Sequence, residues 1–164
     1  MQVNLTGRVI VKLFDSSQNL IYSSENHNII TDSGDAYIAD LLATTPVRTK
    51  LTSSSCFIPV GTGWTGTLPK ENDWVNTQVG ISQSVDATFP KTKGLWNAAN
   101  DNVLQFQVTY PQGSLNFTGI NEAALTSHAT DIEANSTVAY AQITPSVNVT
   151  TLDTLVIQWE ITFT

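Results

Sequence analysis

Thr154-Leu-Val-Ile-Gln-Trp-Glu-Ile-Thr-Phe163 alternates with period two, placing Leu155, Ile157, Trp159, Ile161 and Phe163 on one side and Val156, Gln158, Glu160 and Thr162 on the other. A side-chain period of two belongs to a β-strand, and an apolar row of this length needs a second layer over it. The same pattern recurs in Val103–Tyr110, where Leu104, Phe106, Val108 and Tyr110 alternate with Gln105, Gln107 and Thr109. At the other end of the chain, residues 3–14 and 20–30 read as strands joined by the turn cluster Asp15-Ser-Ser-Gln-Asn19, which predicts an antiparallel hairpin. Shorter strands are expected at residues 56–60, 82–89, 115–124 and 137–144.

The period changes once. In residues 32–43, Gly34, Tyr37, Ile38 and Leu41 fall at helical spacing, with Asp32 and Asp35 in the first turn where carboxylates complement the helix dipole. Residues 44–100 read as a loop-rich stretch holding most of the prolines. The predicted architecture is therefore mainly β: one domain over residues 1–164, an antiparallel β-sandwich, with a jelly roll among its variants, and one short helix.

Composition narrows the function classes. A chain of 164 residues buries roughly 70% of its unfolded surface, enough for a core without staples. The single Cys56 excludes an intrachain disulfide and reads as a small buried hydrophobe. Seven basic residues in a chain of net charge −7 argue against nucleic acid as a partner, because phosphate-binding surfaces work by neutralisation with Lys and Arg. No apolar run approaches the ~20 residues of a membrane-spanning helix, and the N-terminus lacks the layout of a signal peptide. The expectation is a chain made in the cytoplasm that binds neither membrane nor nucleic acid.

The motifs that promise chemistry are weak. Gly61-Thr-Gly63-Trp-Thr-Gly66 spells a dinucleotide fingerprint, but Thr67-Leu-Pro-Lys-Glu-Asn-Asp73 has no helical stripe to bring a helix N-terminus to a pyrophosphate. It reads as a tight turn that holds Trp64 near a surface. The segment from Asp15 lacks the glycine and the closing glutamate of a calcium loop, since Asn26 stands at the twelfth position. Neither His27 nor His128 has a nucleophile signature beside it. The acidic pairs Glu71 with Asp73, and Glu122 with Asp131 or Glu133, are arbitrary choices for glycoside chemistry. Asn4, Asn116, Asn135 and Asn148 open N-x-Ser/Thr triplets of the kind an Asn- and Thr-rich chain produces by chance. No catalytic residue, metal ligand or cofactor site is expected. Trp64, Trp74 and Trp96 are the candidate partner interface, because a large aromatic in loop-like sequence either folds back or meets a partner; Trp159 is expected in the core.

Four stretches in order carry a resemblance: Asn28-Ile-Ile-Thr-Asp-Ser-Gly34 leading into Ile38-Ala-Asp-Leu-Leu42; Ile58-Pro-Val-Gly-Thr-Gly63; Ile120-Asn-Glu-Ala-Ala-Leu125; and Gln142-Ile-Thr-Pro145 with Asp153 to Phe163. Together the chain resembles the small β-sandwich virion proteins of tailed bacteriophages, among them capsid decoration (cement) proteins and tail-associated structural proteins. It departs from that pattern at Ala124 and Gln142. The resemblance implies a non-enzymatic virion protein that binds across neighbouring major capsid subunits, often as a trimer, and so stabilises the shell by mass action. A tail or fibre adaptor is the alternative within the virion. A carbohydrate-binding module, with the loop tryptophans stacking on sugar rings, is the alternative outside it.

Overall fold

The computed structural model describes residues 4–67, 70–71, 74–131 and 136–164. Among the described residues the chain is mainly β, with strands β1 (Leu5–Phe14), β2 (Leu20–Ile30), β3 (Phe57–Gly61), β4 (Gln78–Ser84), β5 (Lys91–Thr92), β6 (Val103–Tyr110), β7 (Phe117–Thr126), β8 (Thr137–Val149) and β9 (Thr154–Phe163), and one helix, α1 (Asp32–Leu41). All nine strands belong to one antiparallel sheet in the order β4-β3-β7-β8-β2-β1-β9-β6-β5. Where a two-sheet sandwich is expected, the strands form a single sheet that curls so that its two halves enclose a common core, an arrangement compatible with a sandwich.

The quoted alternation of β9 is what seats it. Leu155, Ile157, Trp159 and Ile161 are buried in the core with Val9, Val11 and Leu13 of β1 and Phe106 and Val108 of β6. β9 pairs with β1 from Leu5↔Phe163 to Phe14↔Thr154, and with β6 from Val103↔Thr162 to Tyr110↔Leu155. The first and last strands therefore pair with each other, and neither presents a free edge.

The curl is clasped at one end. The Tyr110 hydroxyl donates to the Ile58 carbonyl at 2.6 Å, joining β6 to β3 from opposite halves of the sheet. Beyond β4 the Asp86 amide donates to the Gln107 carbonyl at 2.8 Å. Its carboxylate accepts from the Thr109 amide at 3.1 Å, the Thr109 hydroxyl at 2.9 Å and the Gln107 side chain at 2.9 Å. This explains a boundary that differs from expectation: the strand expected at 82–89 ends at Ser84, because the chain there leaves β3 to bind β6. β8 likewise runs past the expected end at 144 to Val149, pairing with β7 alone across register shifts that accommodate Pro145, which has no N–H to offer.

α1 begins at Thr31, whose hydroxyl oxygen accepts from the Gly34 amide at 2.9 Å and donates onward to the Thr137 carbonyl of β8. The helix lies so close to β8 that a Cβ on Gly34 would stand 2.0 Å from the Val138 carbonyl oxygen. Glycine is required here by close approach. From the last turn of the helix, Asp40 accepts from the Val47 amide at 3.1 Å and the Arg48 amide at 2.7 Å, which turns the following chain back.

Replacing Trp159 by Ala should cost about 3–5 kcal/mol, because a fully buried indole between β1 and β6 leaves a cavity that the ladder cannot collapse into. Ile81→Ser, on the edge strand β4 and 79% exposed, should stay within about 0.5 kcal/mol of the parent. Guanidinium unfolding midpoints of the two variants check both.

Candidate functional site

The paired segments 122–126 of β7 and 137–141 of β8 are covered on both faces. Ala123, Leu125, Ala139 and Ala141 face the main core, whereas Ala124 and Tyr140 point to the opposite side and form a second apolar cluster with Trp74, Val75, Ile29 and Trp64. The loop after β3 is folded over this outer face, and one carboxylate holds it there. Glu122 is 0% exposed. Its Oε1 accepts from the amides of Gly63 at 2.9 Å and Thr77 at 3.0 Å; its Oε2 accepts from the Asn76 amide at 3.0 Å and the Asn76 side chain at 3.1 Å. The Tyr140 hydroxyl donates to the same Oε2. A buried charge is tolerated when its lone pairs are filled in this way.

This clamp accounts for the Gly61-Thr-Gly63 motif. A Cβ on Gly61 would stand 2.4 Å from Glu122 Oε1 and 2.6 Å from the Thr77 carbonyl oxygen. The glycines let the backbone close over a carboxylate of the same chain. Burial, reinforced by the hydrogen bond to Glu122, pushes the Tyr140 hydroxyl far above its ordinary value, so it stays a donor.

The three candidate tryptophans separate. Trp74 is buried at 7% exposure and its Nε1 donates to Gln78 Oε1 at 3.0 Å, so its surface is spent within the chain and it does not serve as an exposed contact. Trp64 is half-buried, its ring 6.0 Å from that of Tyr140 at an interplanar angle of 30°. Trp96 is 88% exposed beside Leu95 at 83%. These two residues sit at the tip of the connection from β5 to β6, which is an ordered hairpin end: Lys93 N donates to Val103 O at 2.8 Å, Gly94 N to Asn100 O at 2.9 Å and Asn97 N to Asp101 Oδ2 at 3.0 Å. The tip presents two large apolar side chains on a backbone already held in shape.

The remaining polar candidates have local duties. Asp15 accepts from the amides of Ser17 at 2.8 Å and Asn19 at 2.9 Å, and the Asn19 hydrogen bonds hold its carboxyl below the usual range. His27 and His128 are exposed, with the His128 ring 3.1 Å from the Ser127 hydroxyl. Glu71 and Asp131 are exposed, whereas Glu122 is closed to solvent; Asp73, Glu133 and Asn135 lie outside the described residues. Asn4, Asn116 and Asn148 are exposed. Cys56 is buried, and burial raises its thiol well above its ordinary value. Among the described residues, no group of three His, Cys, Asp or Glu stands together as a metal site, and no helix is long and apolar enough to cross a membrane.

A second ionic cluster lies on the outer face of β1, β9 and β6. Glu160, 4% exposed, accepts from Arg8 Nε at 2.7 Å, Lys93 Nζ at 2.9 Å and Gln105 Nε2 at 2.7 Å, and Arg8 also reaches Glu25 at 3.0 Å. Burial alone would raise the Glu160 carboxyl; the hydrogen bonds from Lys93, Arg8 and Gln105 outweigh it and hold the group below its ordinary value. No sequence signal marked Glu122 or Glu160 as a hub, since each is one acid within an alternating strand.

Comparison of the chain with protein-family models, curated proteins and solved structures returned no match.

Glu122→Gln should cost about 3 kcal/mol or more, because an amide offers one acceptor where the carboxylate fills two and turns its NH₂ toward donors. Loss of the Trp64–Tyr140 contact in near-ultraviolet circular dichroism should accompany it. Glu160→Gln should cost about 1–2 kcal/mol at neutral pH, a value reduced because water screens the half-exposed Arg8 and Lys93. A carboxyl with a depressed folded pKa stabilises the fold fully above its unfolded value of 4.5 and loses that contribution as pH falls through the folded value. The gap between parent and variant should therefore close on acidification below about pH 4.5, read from urea midpoints across pH.

Proposed function

We propose that this chain is a non-enzymatic virion structural protein, a capsid decoration protein that binds across neighbouring capsid subunits and raises the cost of separating them. The observation that carries this is the hairpin tip at Leu95 and Trp96, 83% and 88% exposed on a hydrogen-bonded turn at the edge of the sheet. An exposed Trp on a preorganised backbone binds without a large ordering cost, and Trp is the residue most enriched at interface hot spots. The resemblance to small β-sandwich phage proteins supports the choice of partner. The internal duties of Glu122 and Glu160, whose oxygens are filled by donors of the same chain, support a role without chemistry.

Such a protein acts by mass action: whatever binds only the assembled shell stabilises that shell. A net charge of −7 keeps unassembled copies apart and away from packaged nucleic acid. Symmetry favours a homo-oligomer, with a trimer matching local threefold positions.

Imaging of purified particles with and without the protein tests the proposal. Hundreds of copies on the head, with shells that burst more easily in its absence, are expected; a few copies at the tail would replace the proposal with the adaptor alternative, and absence from the particle would overturn both. Trp96→Ala should leave the thermal unfolding midpoint unchanged within about 2 °C while weakening attachment by about 2 kcal/mol or more, measured by rebinding to stripped shells.

A further inference from the structure

The curl that Tyr110 and Asp86 clasp at one end stays open at the other, and α1 crosses this open mouth. Between the helix and the sheet lies a cavity of about 870 Å³. Its lining includes the core residues Tyr37, Phe106, Val138 and Ile161, each at most 5% exposed, so the cavity reaches the interior of the curl. Leu5, Leu41, Leu51, Leu104 and Phe163 continue the apolar wall outward. An apolar recess in the mouth of a curled sheet, of a volume that suits a small organic ligand, is a common form of binding site.

The few charged groups at this mouth select the ligand. Among the described residues, Arg8, Lys70 and Lys93 are held in ion pairs, which leaves Lys12, Arg48, Lys50 and Lys91 of the chain's seven basic residues. Two of these four, Lys50 and Lys91, line the cavity. A third, Arg48, stands 5.9 Å from the centroid of the Tyr37 ring that lines it. Lys91 sits 4.4 Å from the centroid of the Phe89 ring, which positions its ammonium without neutralising it. The one acid in the lining, Asp35, is already taken by Lys70 at 2.7 Å. Arg48 also lies near the Asp40 carboxylate, which it helps to hold low. The cations in no ion pair among the described residues at this entrance are therefore Lys50 and Lys91, and in a chain of net charge −7 they form a local field of the opposite sign.

We infer that this cavity binds a monomeric fatty acid, with the hydrocarbon tail in the recess beneath α1 and the carboxylate at Lys50 and Lys91. This goes beyond the proposed virion role and stands independently of it. Long lysine stems suit the arrangement, since they can lie along apolar surface while the ammonium meets a carboxylate at the water boundary. Each methylene drawn from water into the recess adds to affinity until the recess is full.

Isothermal titration of the full chain with octanoate and decanoate below their micellar concentrations, and with decyltrimethylammonium, tests the inference. One saturable site is expected, about tenfold tighter for decanoate than for octanoate. The double variant Lys50→Glu/Lys91→Glu, which alters exposed side chains and keeps the fold, should weaken decanoate about tenfold and bind the cationic amphiphile better than the parent does. Leu51→Trp should block all three ligands, with circular dichroism confirming that the variant is folded. No saturable binding of decanoate, equal binding of the anionic and cationic amphiphiles with no effect of charge reversal, or binding to phosphatidylglycerol vesicles but not to the monomeric acid would each overturn it. The capsid proposal is read by particle imaging, so either can fail without the other.

Discussion

The fold depends on the ladder that joins the two ends of the chain. β1 and β9 pair over ten consecutive positions, from Leu5↔Phe163 to Phe14↔Thr154. Closing a loop of this length costs entropy that grows only slowly with chain length, but the cost is met before the contacts form. What repays it is the apolar row of β9, which buries Leu155, Ile157, Trp159 and Ile161 between β1 and β6. With this ladder in place the terminal strands stop being edges, and the outer positions fall to β4 and β5.

A different kind of interaction organises the loop-rich middle. The outer face of β7 and β8 would otherwise expose Ala124 and Tyr140, and it is covered by the loop between β3 and β4, whose backbone donors need partners there. Glu122 supplies them, taking the amides of Gly63, Asn76 and Thr77. A carboxylate serves where an apolar residue would not, because the backbone N–H groups of a buried loop must be paired. Trp64 and Trp74 are drawn onto the same face as a result, and Trp96, on the far connection, is left exposed.

The two surfaces proposed to bind partners follow from how the sheet is closed. Clasping the curl through Tyr110 and Asp86 leaves a mouth at the opposite end, where α1 spans a recess rather than filling it. The short β5 carries the edge beyond this mouth into the Leu95–Trp96 tip. An exposed tip on a firm backbone suits a protein partner, whereas an apolar recess with Lys50 and Lys91 at its lining suits a small amphiphile.

Strand type and helix position were legible in the sequence, because periods of two and 3.6 residues record which side chains must be buried together. Val103–Tyr110 and Thr154–Phe163 stand where alternation places them, Leu20–Ile30 follows the turn cluster that predicts its hairpin, and the helix begins where the period changes. The surplus of hydroxyls and amides and the absence of a second cysteine were legible as well. Tertiary structure alone decided that the strands form one curled sheet, that Glu122 and Glu160 are buried hubs, that Gly34 and Gly61 answer to close approach, and that a cavity lies beneath α1. The physical reason is that periodicity is local. A hydrogen bond from Gly63 to Glu122, or the spacing between a helix and β8, joins residues far apart in sequence, and nothing in either neighbourhood encodes the other.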